Sequence, residues 1–334
     1  MRRVNRRSQL QRWIEAQLNA SSLTLEPASE DASFRRYFRV RTAGPSLIVM
    51  DAPPEHEDCR RFVRVASLMT EAGVHVPRVL AQDLEHGFLL MSDLGTTGYL
   101  QALNDDSADR LFCDAIDALL RWQLASKPGV LPPYDEALLA RELKLFPEWY
   151  LEHHLGLTLS SAQQQTLNAL FALVLNNNLA QPPVYVHRDY MLRNLMVCEP
   201  NPGVLDFQDA VYGPITYDVA SLFRDAFVSW DEERVLDWTV RYWEKAKRAG
   251  LPVAADFGSF YRDFEWMGLQ RHLKVLGIFA RLHYRDGKRG YLEDTPRFVG
   301  YARAVAARYH ALSPLLTLLD QIEGKPQAHA GPPL

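Results

Sequence analysis

The chain has 334 residues, of which 47% are apolar and 23% are charged. This composition is ordinary for a soluble globular protein, and the length is sufficient for two lobes that each bury a core. The formal net charge of −4 argues against a general nucleic-acid binder, because such proteins usually carry an excess of basic residues.

Three cysteines, Cys59, Cys113 and Cys198, are odd in number and far apart in the chain. This pattern indicates reduced thiols in the cytosol rather than a disulfide framework, and without a Cys-x-x-Cys pair we do not expect a structural zinc. The basic start of the chain lacks the apolar stretch of a secretory signal, and no apolar run approaches the length of a membrane span. We therefore expect a soluble, cytoplasmic protein that does not bind membranes.

The first part of the chain predicts short strands and two helices. Apolar residues at helical spacing favour helices over residues 8–18 and 57–72. Runs of β-branched and aromatic residues between turn signals favour strands over residues 34–41, 46–51, 79–82 and 87–91. After residue 94 the patterns become helical, with a capping-box signature at Ser160 and Gln163 and further helices over residues 219–227, 231–248, 257–284 and 297–320. The predicted fold class is α+β.

A group of polar residues follows an apolar run in the middle of the chain. Residues 184–186 are apolar, and the polar loop after them contains His187, Asp189 and Asn194. A second apolar run and a turn rich in proline and glycine then lead to Asp206. This order predicts a hairpin that brings Asp206 back beside the loop.

The spacing of these polar residues fits phosphoryl transfer. That reaction requires a carboxylate to orient and deprotonate the accepting hydroxyl, and oxygen ligands to hold Mg²⁺ on the nucleotide phosphates. Asp189 suits the first task, while Asn194 and Asp206 suit the second. The order resembles the H-R-D-x-x-x-x-N and D-F-G signatures of the protein kinase fold.

A second motif, Gly213-Pro-Ile-Thr-Tyr-Asp218-Val-Ala, indicates which group of proteins with that fold the sequence resembles. Eleven residues separate Asp206 from Asp218, too few for the activation segment that protein kinases fold over a peptide substrate. A small molecule is therefore the expected acceptor. H-x-D-x-x-x-x-N, an Asp on the next strand and G-P-x-x-x-D-x-A together resemble the aminoglycoside phosphotransferase and choline kinase-like family, and the resemblance covers nearly the whole chain.

The resemblance implies a bilobal, protein-kinase-like fold with a small antiparallel-sheet N-lobe and a larger, mainly helical C-lobe. The N-lobe spans residues 1–94, the C-lobe spans residues 95–322, and residues 323–334 read as a disordered tail. ATP and Mg²⁺ are the implied cofactors. In the family, His187 would stabilise the loop backbone, and Asp218 would support the loop in addition to capping the helix after it. Backbone groups at the hinge between the lobes would bind adenine, at Met91, Ser92, Asp93 and Leu94.

Three further segments look like one subgroup of that family, the bacterial cell-wall-recycling kinases that phosphorylate the anomeric hydroxyl of N-acetylmuramate and N-acetylglucosamine. They are residues 34–39, 47–54 and 146–149. Near the last of them, Trp149 and Tyr150 could stack on a sugar and Glu148 could accept its hydroxyls. Ordinary core packing explains such aromatic residues equally well.

The sequence departs from the family pattern where the nucleotide phosphates are expected. The usual glycine-rich loop is missing, and residues 29–33, with Ser33 as the candidate, could donate hydrogen bonds there instead. An ordinary polar turn explains this segment nearly as well. Met50 replaces the expected strand lysine, and the next helix carries arginines in place of the glutamate that would pair with it. Arg36 is our candidate for the missing positive charge, and Arg35 or one of the helix arginines Arg60, Arg61 and Arg64 is the alternative.

Two alternative functions stay open. The acceptor could be another small molecule, such as an aminoglycoside or choline, because the sequence does not show which carboxylates line the pocket. The chain could also be a nucleotide-binding pseudokinase, as Met50 suggests, although Asp189, Asn194 and Asp206 are all present.

Overall fold

The computed structural model describes residues 6–30, 34–288 and 290–323, and of residues 29 and 30 only the backbone. The strands are, in chain order, β1 (Leu25–Glu30), β2 (Arg36–Val40), β3 (Leu47–Asp51), β4 (Val79–Asp83), β5 (Phe88–Ser92), β6 (Pro183–Val186), β7 (Leu195–Met196), β8 (Gly203–Val204) and β9 (Val211–Pro214). The α-helices are α1 (Arg6–Leu18), α2 (Cys59–Glu71), α3 (Tyr99–Ala102), α4 (Ala108–Leu124), α5 (Glu136–Leu145), α6 (Ser161–Leu179), α7 (Tyr217–Phe223), α8 (Glu232–Arg248), α9 (Phe257–Tyr284), α10 (Thr295–Arg308) and α11 (Ser313–Ile322). A π-helix, Phe146–His154, continues α5.

The chain divides into two compact units. Unit 1 comprises Met1–Ala125 and Leu192–Ala210, and unit 2 comprises Ser126–Met191 and Val211–Leu334. The predicted lobe boundary after residue 94 stays a prediction. The predicted tail lies outside the described residues from residue 324 onward.

Unit 1 is built on a five-stranded antiparallel sheet with the strand order β1-β2-β3-β5-β4. Its core includes Leu10 and Ile14 of α1, which pack with strand residues such as Val40 and Val49. Because α1 presents its apolar residues three to four positions apart, it can cover one face of the sheet. The short hairpin β7–β8 and the helices α2, α3 and α4 complete the unit.

Unit 2 is mainly helical and is arranged around the 28-residue helix α9. This helix contacts α5, α6, α7, α8, α10 and the π-helix. At Gly277 the approach is so close that a Cβ atom would lie 2.3 Å from the backbone carbon and oxygen of Leu145. Glycine is therefore required there, because only a residue without a side chain lets the two backbones meet.

The predicted fold class is confirmed, with a small antiparallel sheet and a mainly helical remainder. The sequence patterns do not predict β1, whose pairing with β2 is irregular between Pro27 and Ser29. The predicted helix over residues 297–320 is wrong, since α10 ends at Arg308 and Tyr309 is extended. Pro314 then occupies the first turn of α11, where its fixed φ and missing N–H are tolerated. Within the described residues, no helix combines the length and apolar character needed to cross a bilayer.

Candidate active site

The hairpin that ends at Asp206 lies in unit 1. Leu195 of β7 pairs with Val204 of β8 in antiparallel register. One residue further along, the backbone N–H of Leu205 donates to the carbonyl oxygen of Asn194 at 2.8 Å. This bond brings Asn194 and Asp206 to the same end of the hairpin, as the sequence predicts. We call residues 194–206 the Asp206 hairpin.

The Asp206 carboxylate is held by two side chains of unit 1. Arg35, which is 9% exposed, donates from Nη2 to Asp206 Oδ1 at 3.0 Å, and Gln208 Nε2 donates to the same oxygen at 2.9 Å. The backbone of Asp206 has a φ of +61°, in the left-handed region that aspartate tolerates better than most residues. The next residue, Phe207, is buried against Phe62 of α2, with ring centroids 4.7 Å apart. These contacts set the direction of the carboxylate.

The donor atoms of the Asp206 hairpin fit Mg²⁺. The ion prefers hard oxygen ligands and is usually bound by one or two carboxylates together with substrate phosphates. Asp206 supplies a carboxylate and Asn194 supplies an amide oxygen. Within the residues that the structure describes, no group of three or more His, Cys, Asp or Glu side chains could form an all-protein metal site.

The loop that carries Asp189 lies in unit 2 and begins where β6 ends. The backbone N–H groups of His187 and Arg188 donate to the two carboxylate oxygens of Asp218, at 2.6 and 3.0 Å. The N–H of Asp189 donates to Nδ1 of the buried His187 at 3.2 Å. We call residues 187–191 the Asp189 loop, and its backbone is held by the two residues that the sequence predicts as supports.

Asp218 is completely buried in the first turn of α7. Burial raises the pKa of its carboxyl to about 7, and the negative charge of Asp189 adds to the increase, while the N–H donors from His187 and Arg188 act against it. The predicted helix-capping role of Asp218 is wrong, because α7 begins at Tyr217, two residues before the predicted start, and Thr216 is the N-cap residue. The carboxylate instead accepts the loop N–H groups.

Arg188 stands in the Asp189 loop with a φ of +77°. Its guanidinium donates from Nη2 to Glu142 at 2.7 Å and lies over the ring of Tyr134, with Cζ 5.5 Å from the centroid. Glu142 also pairs with Lys274 of α9 at 3.0 Å. The sequence analysis did not identify Glu142 or Lys274. A lysine followed directly by the apolar run 275–280 of a long helix is the signal that could have found the second of them.

The predicted hinge, residues 91–94, lies in unit 1 and begins within β5, of which Met91 and Ser92 are the last two residues. The carboxylate of Asp93 accepts hydrogen bonds from Arg39 Nε at 2.5 Å and Nη2 at 3.1 Å. The hydroxyl of Ser92 accepts the backbone N–H of Arg78 at 2.8 Å. Both polar side chains thus have partners within the unit, and adenine binding by the backbone of this segment stays a prediction.

The three predicted sugar contacts are successive residues of the π-helix and do not share one face. Glu148 is exposed and lines an open cavity of about 640 Å³ in unit 2. Trp149 stacks on His153, with ring centroids 4.6 Å apart. Tyr150 is only 8% exposed and stacks on Phe146 at 5.6 Å. The structure does not bring these side chains together, and their contact with substrate stays a prediction.

The candidate cations for the phosphates have different surroundings. Arg36 forms an ion pair with Asp51, its neighbour across β2 and β3, and Asp51 also accepts from Arg6 at 2.7 Å. Met50, in place of the expected lysine, is 1% exposed and belongs to the core. Arg35 is the arginine that reaches Asp206. The helix arginines Arg60, Arg61 and Arg64 are exposed on α2, and Ser33 lies outside the described residues.

Comparison with known proteins agrees with the motifs. The model of the phosphotransferase enzyme family matches residues 24–257, more than half of the chain. An N-acetylmuramate/N-acetylglucosamine kinase of Pseudomonas putida is 53% identical, and the match covers 97% of this chain and 98% of that protein. An enzyme of the same name from Pseudomonas aeruginosa is 57% identical over 89% of this chain and 88% of its own.

The fold is also found among solved structures. The crystal structure of choline kinase LicA from Streptococcus pneumoniae matches with a TM-score of 0.62, covering 91% of this chain and 99% of that chain at 14% identity. At this identity the likeness concerns the fold alone, and it confirms the predicted protein-kinase-like fold. Family model, relatives and fold agree, and the chain belongs to the phosphotransferase enzyme family.

Proposed function

We propose that the chain is an ATP-dependent kinase that transfers the γ-phosphoryl group to the anomeric hydroxyl of N-acetylmuramate, N-acetylglucosamine or both. The observation that carries this proposal is the 53% identity over nearly the full length to a relative named as a kinase of these two sugars. Since ATP is made and held in the cytoplasm, the proposed reaction takes place there.

Asp189 acts on the acceptor in this proposal. Its carboxylate orients the anomeric hydroxyl and accepts its proton as the hydroxyl oxygen bonds to the γ-phosphorus. The bond from that phosphorus to the β,γ-bridging oxygen breaks in the same step. The hydrogen bonds from the loop backbone to Asp218 and His187 support this role, because a positioned base is effective only when its loop is held in one conformation.

Asn194 and Asp206 would hold Mg²⁺ through the amide oxygen and the carboxylate. When bound, the ion neutralises charge on the nucleotide phosphates. The hydrogen bond between Leu205 and Asn194 supports this assignment, because it sets both oxygen donors at one end of the Asp206 hairpin.

We further propose that Arg35 supplies the positive charge that the missing strand lysine would have carried. Its guanidinium is nearly buried and already lies 3.0 Å from the carboxylate that we assign to Mg²⁺. Arg36, the candidate from sequence, is 52% exposed and is engaged with Asp51. An arginine held beside a metal ligand is better placed to meet phosphate oxygens than one bound to a buried carboxylate.

The experiment that tests the function is a phosphate-transfer assay with MgATP and four separate acceptors. These are N-acetylmuramate, N-acetylglucosamine, choline and an aminoglycoside, and the phosphorylated position is read by NMR. We expect transfer to the anomeric oxygen of at least one of the two sugars. Transfer to choline or the aminoglycoside alone would contradict the assigned acceptor, and nucleotide binding without transfer to any acceptor would favour a pseudokinase.

A further inference from the structure

Arg188 occupies a backbone conformation that disfavours its side chain. Its φ of +77° lies in the left-handed region, which glycine enters readily and which costs other residues free energy because of the contact between Cβ and the backbone. The residue lies between His187 and Asp189, so its backbone conformation determines the position from which the Asp189 side chain projects. A non-glycine residue in such a conformation persists only when other contacts stabilise it.

Asp218 accepts the backbone N–H of Arg188, and the contact to its side chain is supplied by Glu142 on α5. Its side chain is 7% exposed and accepts hydrogen bonds from Arg188 Nη2 at 2.7 Å, Lys274 Nζ at 3.0 Å and the Tyr134 hydroxyl. Lys274 also donates to the Tyr217 hydroxyl at 2.9 Å. The carboxylate of Glu142 therefore joins the Asp189 loop to α9, and Lys274 extends the link to Tyr217, the residue before Asp218. We call these five residues the Glu142 cluster.

The charges of the Glu142 cluster do not cancel. Burial alone would raise the pKa of Glu142, but the nearby Lys274 and Arg188 outweigh it and the pKa is lowered. Burial would likewise lower the pKa of Lys274, yet Glu142, Tyr217 and the more distant Asp189 raise it. One carboxylate thus faces two cations, and the excess positive charge lies within electrostatic reach of Asp189.

We propose that Arg188 is a positioning residue, whose guanidinium, anchored on Glu142, holds the Asp189 loop in the left-handed conformation that presents the Asp189 carboxylate to the acceptor. Lys274 completes the anchor by fixing the direction of the Glu142 carboxylate. The inference rests on the proposed function, because it concerns how Asp189 is oriented for transfer. If the side chain of Arg188 had no role, glycine would be the more stable residue at this φ.

The substitution Arg188→Gly tests the positioning role directly. It removes the guanidinium, and at the same time it removes the free-energy cost of the left-handed conformation. We expect kcat to fall 10- to 100-fold, with the KM for MgATP changed less than about twofold. We also expect amide hydrogen exchange at residues 187–189 to accelerate at least tenfold after correction for intrinsic rates. Ser22→Gly is the matched control, since Ser22 is exposed, has a φ of +61° and lies in unit 1.

A double-mutant cycle with Glu142→Gln separates the anchor from general destabilisation. If Arg188 acts through Glu142, the double variant loses no more activity than Arg188→Gly alone, because the second substitution removes an interaction that is already lost. Additive losses would overturn the proposal. Should Arg188→Gly fail to fold, Arg188→Lys replaces it, with an intermediate kcat expected because lysine keeps the charge but not the forked donors.

The outcomes distinguish the two proposals. Transfer by Arg188→Gly within twofold of the original protein, or unchanged hydrogen exchange at residues 187–189, would overturn the positioning role while the proposed function stands. If the original protein transfers no phosphoryl group to any sugar, the proposed function fails. The exchange measurement then still decides whether Arg188 holds the loop.

Discussion

The Asp206 hairpin of unit 1 and the Asp189 loop of unit 2 each present a carboxylate, but they hold it in different ways. Asp206 is held through its own side chain, by Arg35 and Gln208. Asp189 is held through its backbone and its neighbours, by way of His187 and Asp218. Both segments contain a non-glycine residue at positive φ, which is the aspartate itself in the first and the preceding arginine in the second.

This difference matches the proposed roles. A metal-binding carboxylate can be oriented by a neighbouring cation such as Arg35. The site then attracts negatively charged groups, and Mg²⁺ is bound by such groups, carboxylates and phosphates. A base that must accept a proton from the acceptor hydroxyl has to be oriented towards it, and a loop backbone that is held in one conformation supplies that orientation. The comparison therefore predicts that substituting Arg35 in unit 1 affects the Asp206 carboxylate alone. Substituting Asp218 or Arg188 in unit 2 should change the conformation of the whole Asp189 loop.

The largest effect is expected for Asp218→Asn, which removes the acceptor of two loop N–H groups. One oxygen of asparagine cannot replace two, and each buried N–H left without a partner costs about 1–3 kcal/mol. We expect kcat to fall at least about 100-fold. The exchange of the amides of His187 and Arg188, followed by NMR, should rise together, and protection of both amides in the variant would contradict the account.

The same variant has a pH signature. The pKa of Asp218 is raised to about 7 in the folded protein, whereas an unfolded aspartate titrates near 3.9. The folded state therefore binds more protons between about pH 4 and pH 7, so this group stabilises most at low pH and its contribution is lost as the pH rises through that window. The unfolding free energy of the original protein, minus that of Asp218→Asn, should fall by up to about 4 kcal/mol from pH 4 to pH 7. A rise over this range would contradict the raised pKa.

A smaller effect distinguishes Arg35 from Arg36 in unit 1. Arg35→Ala should lower kcat/KM for ATP by about 10- to 100-fold, because it removes the cation beside Asp206 and a charge-assisted hydrogen bond. Arg36→Ala should change it less than about threefold, since Arg36 does not reach Asp206 and the buried Asp51 keeps Arg6 as a partner. Steady-state kinetics with varied ATP measure both. The reverse order would support the candidate chosen from sequence.

The smallest effects concern two glycines, one in each unit. A Cβ atom on Gly213 of β9 would lie 2.4 Å from Tyr134 Cβ, which is close to the backbone and cannot move aside. A Cβ atom on Gly203 would meet Cys198 Sγ and Leu94 Cδ1 at 2.8 Å, which are the ends of side chains. We expect Gly213→Ala to cost about 2–3 kcal/mol of unfolding free energy and Gly203→Ala about 1 kcal/mol, measured by urea denaturation. Equal costs would show that the surroundings of Gly213 can relax.

The Asp206 hairpin was predictable because its determinants are local. Asn194 and Asp206 are close in sequence, and the turn between them carries the prolines and glycine that reverse the chain. The hydrogen bond between Leu205 and Asn194 follows from that geometry. The support of the Asp189 loop by Asp218 was also expected, but through resemblance to the family rather than from local pattern.

The partners of the arginines were not predictable, because they lie far away in sequence. Arg35 and Asp206 are 171 positions apart, and Arg188 and Glu142 are 46 positions apart. Arg35 lies just before β2 and Arg36 is its first residue, and their guanidinium groups have different partners, Asp206 and Asp51. The register of β2 against β3, which pairs Arg36 with Asp51, decides between them. Without that register, the sequence offered no basis for preferring Arg35.

The most direct test of the account compares Asp189→Asn with Asp206→Asn in one experiment that measures both MgATP binding and phosphoryl transfer to N-acetylmuramate and N-acetylglucosamine. We predict that Asp189→Asn lowers kcat at least 100-fold and leaves the Kd for MgATP within about threefold. Asp206→Asn should weaken MgATP binding and transfer together. Near-normal transfer by Asp189→Asn, or loss of MgATP binding in that variant, would contradict the assignment of Asp189 as the base.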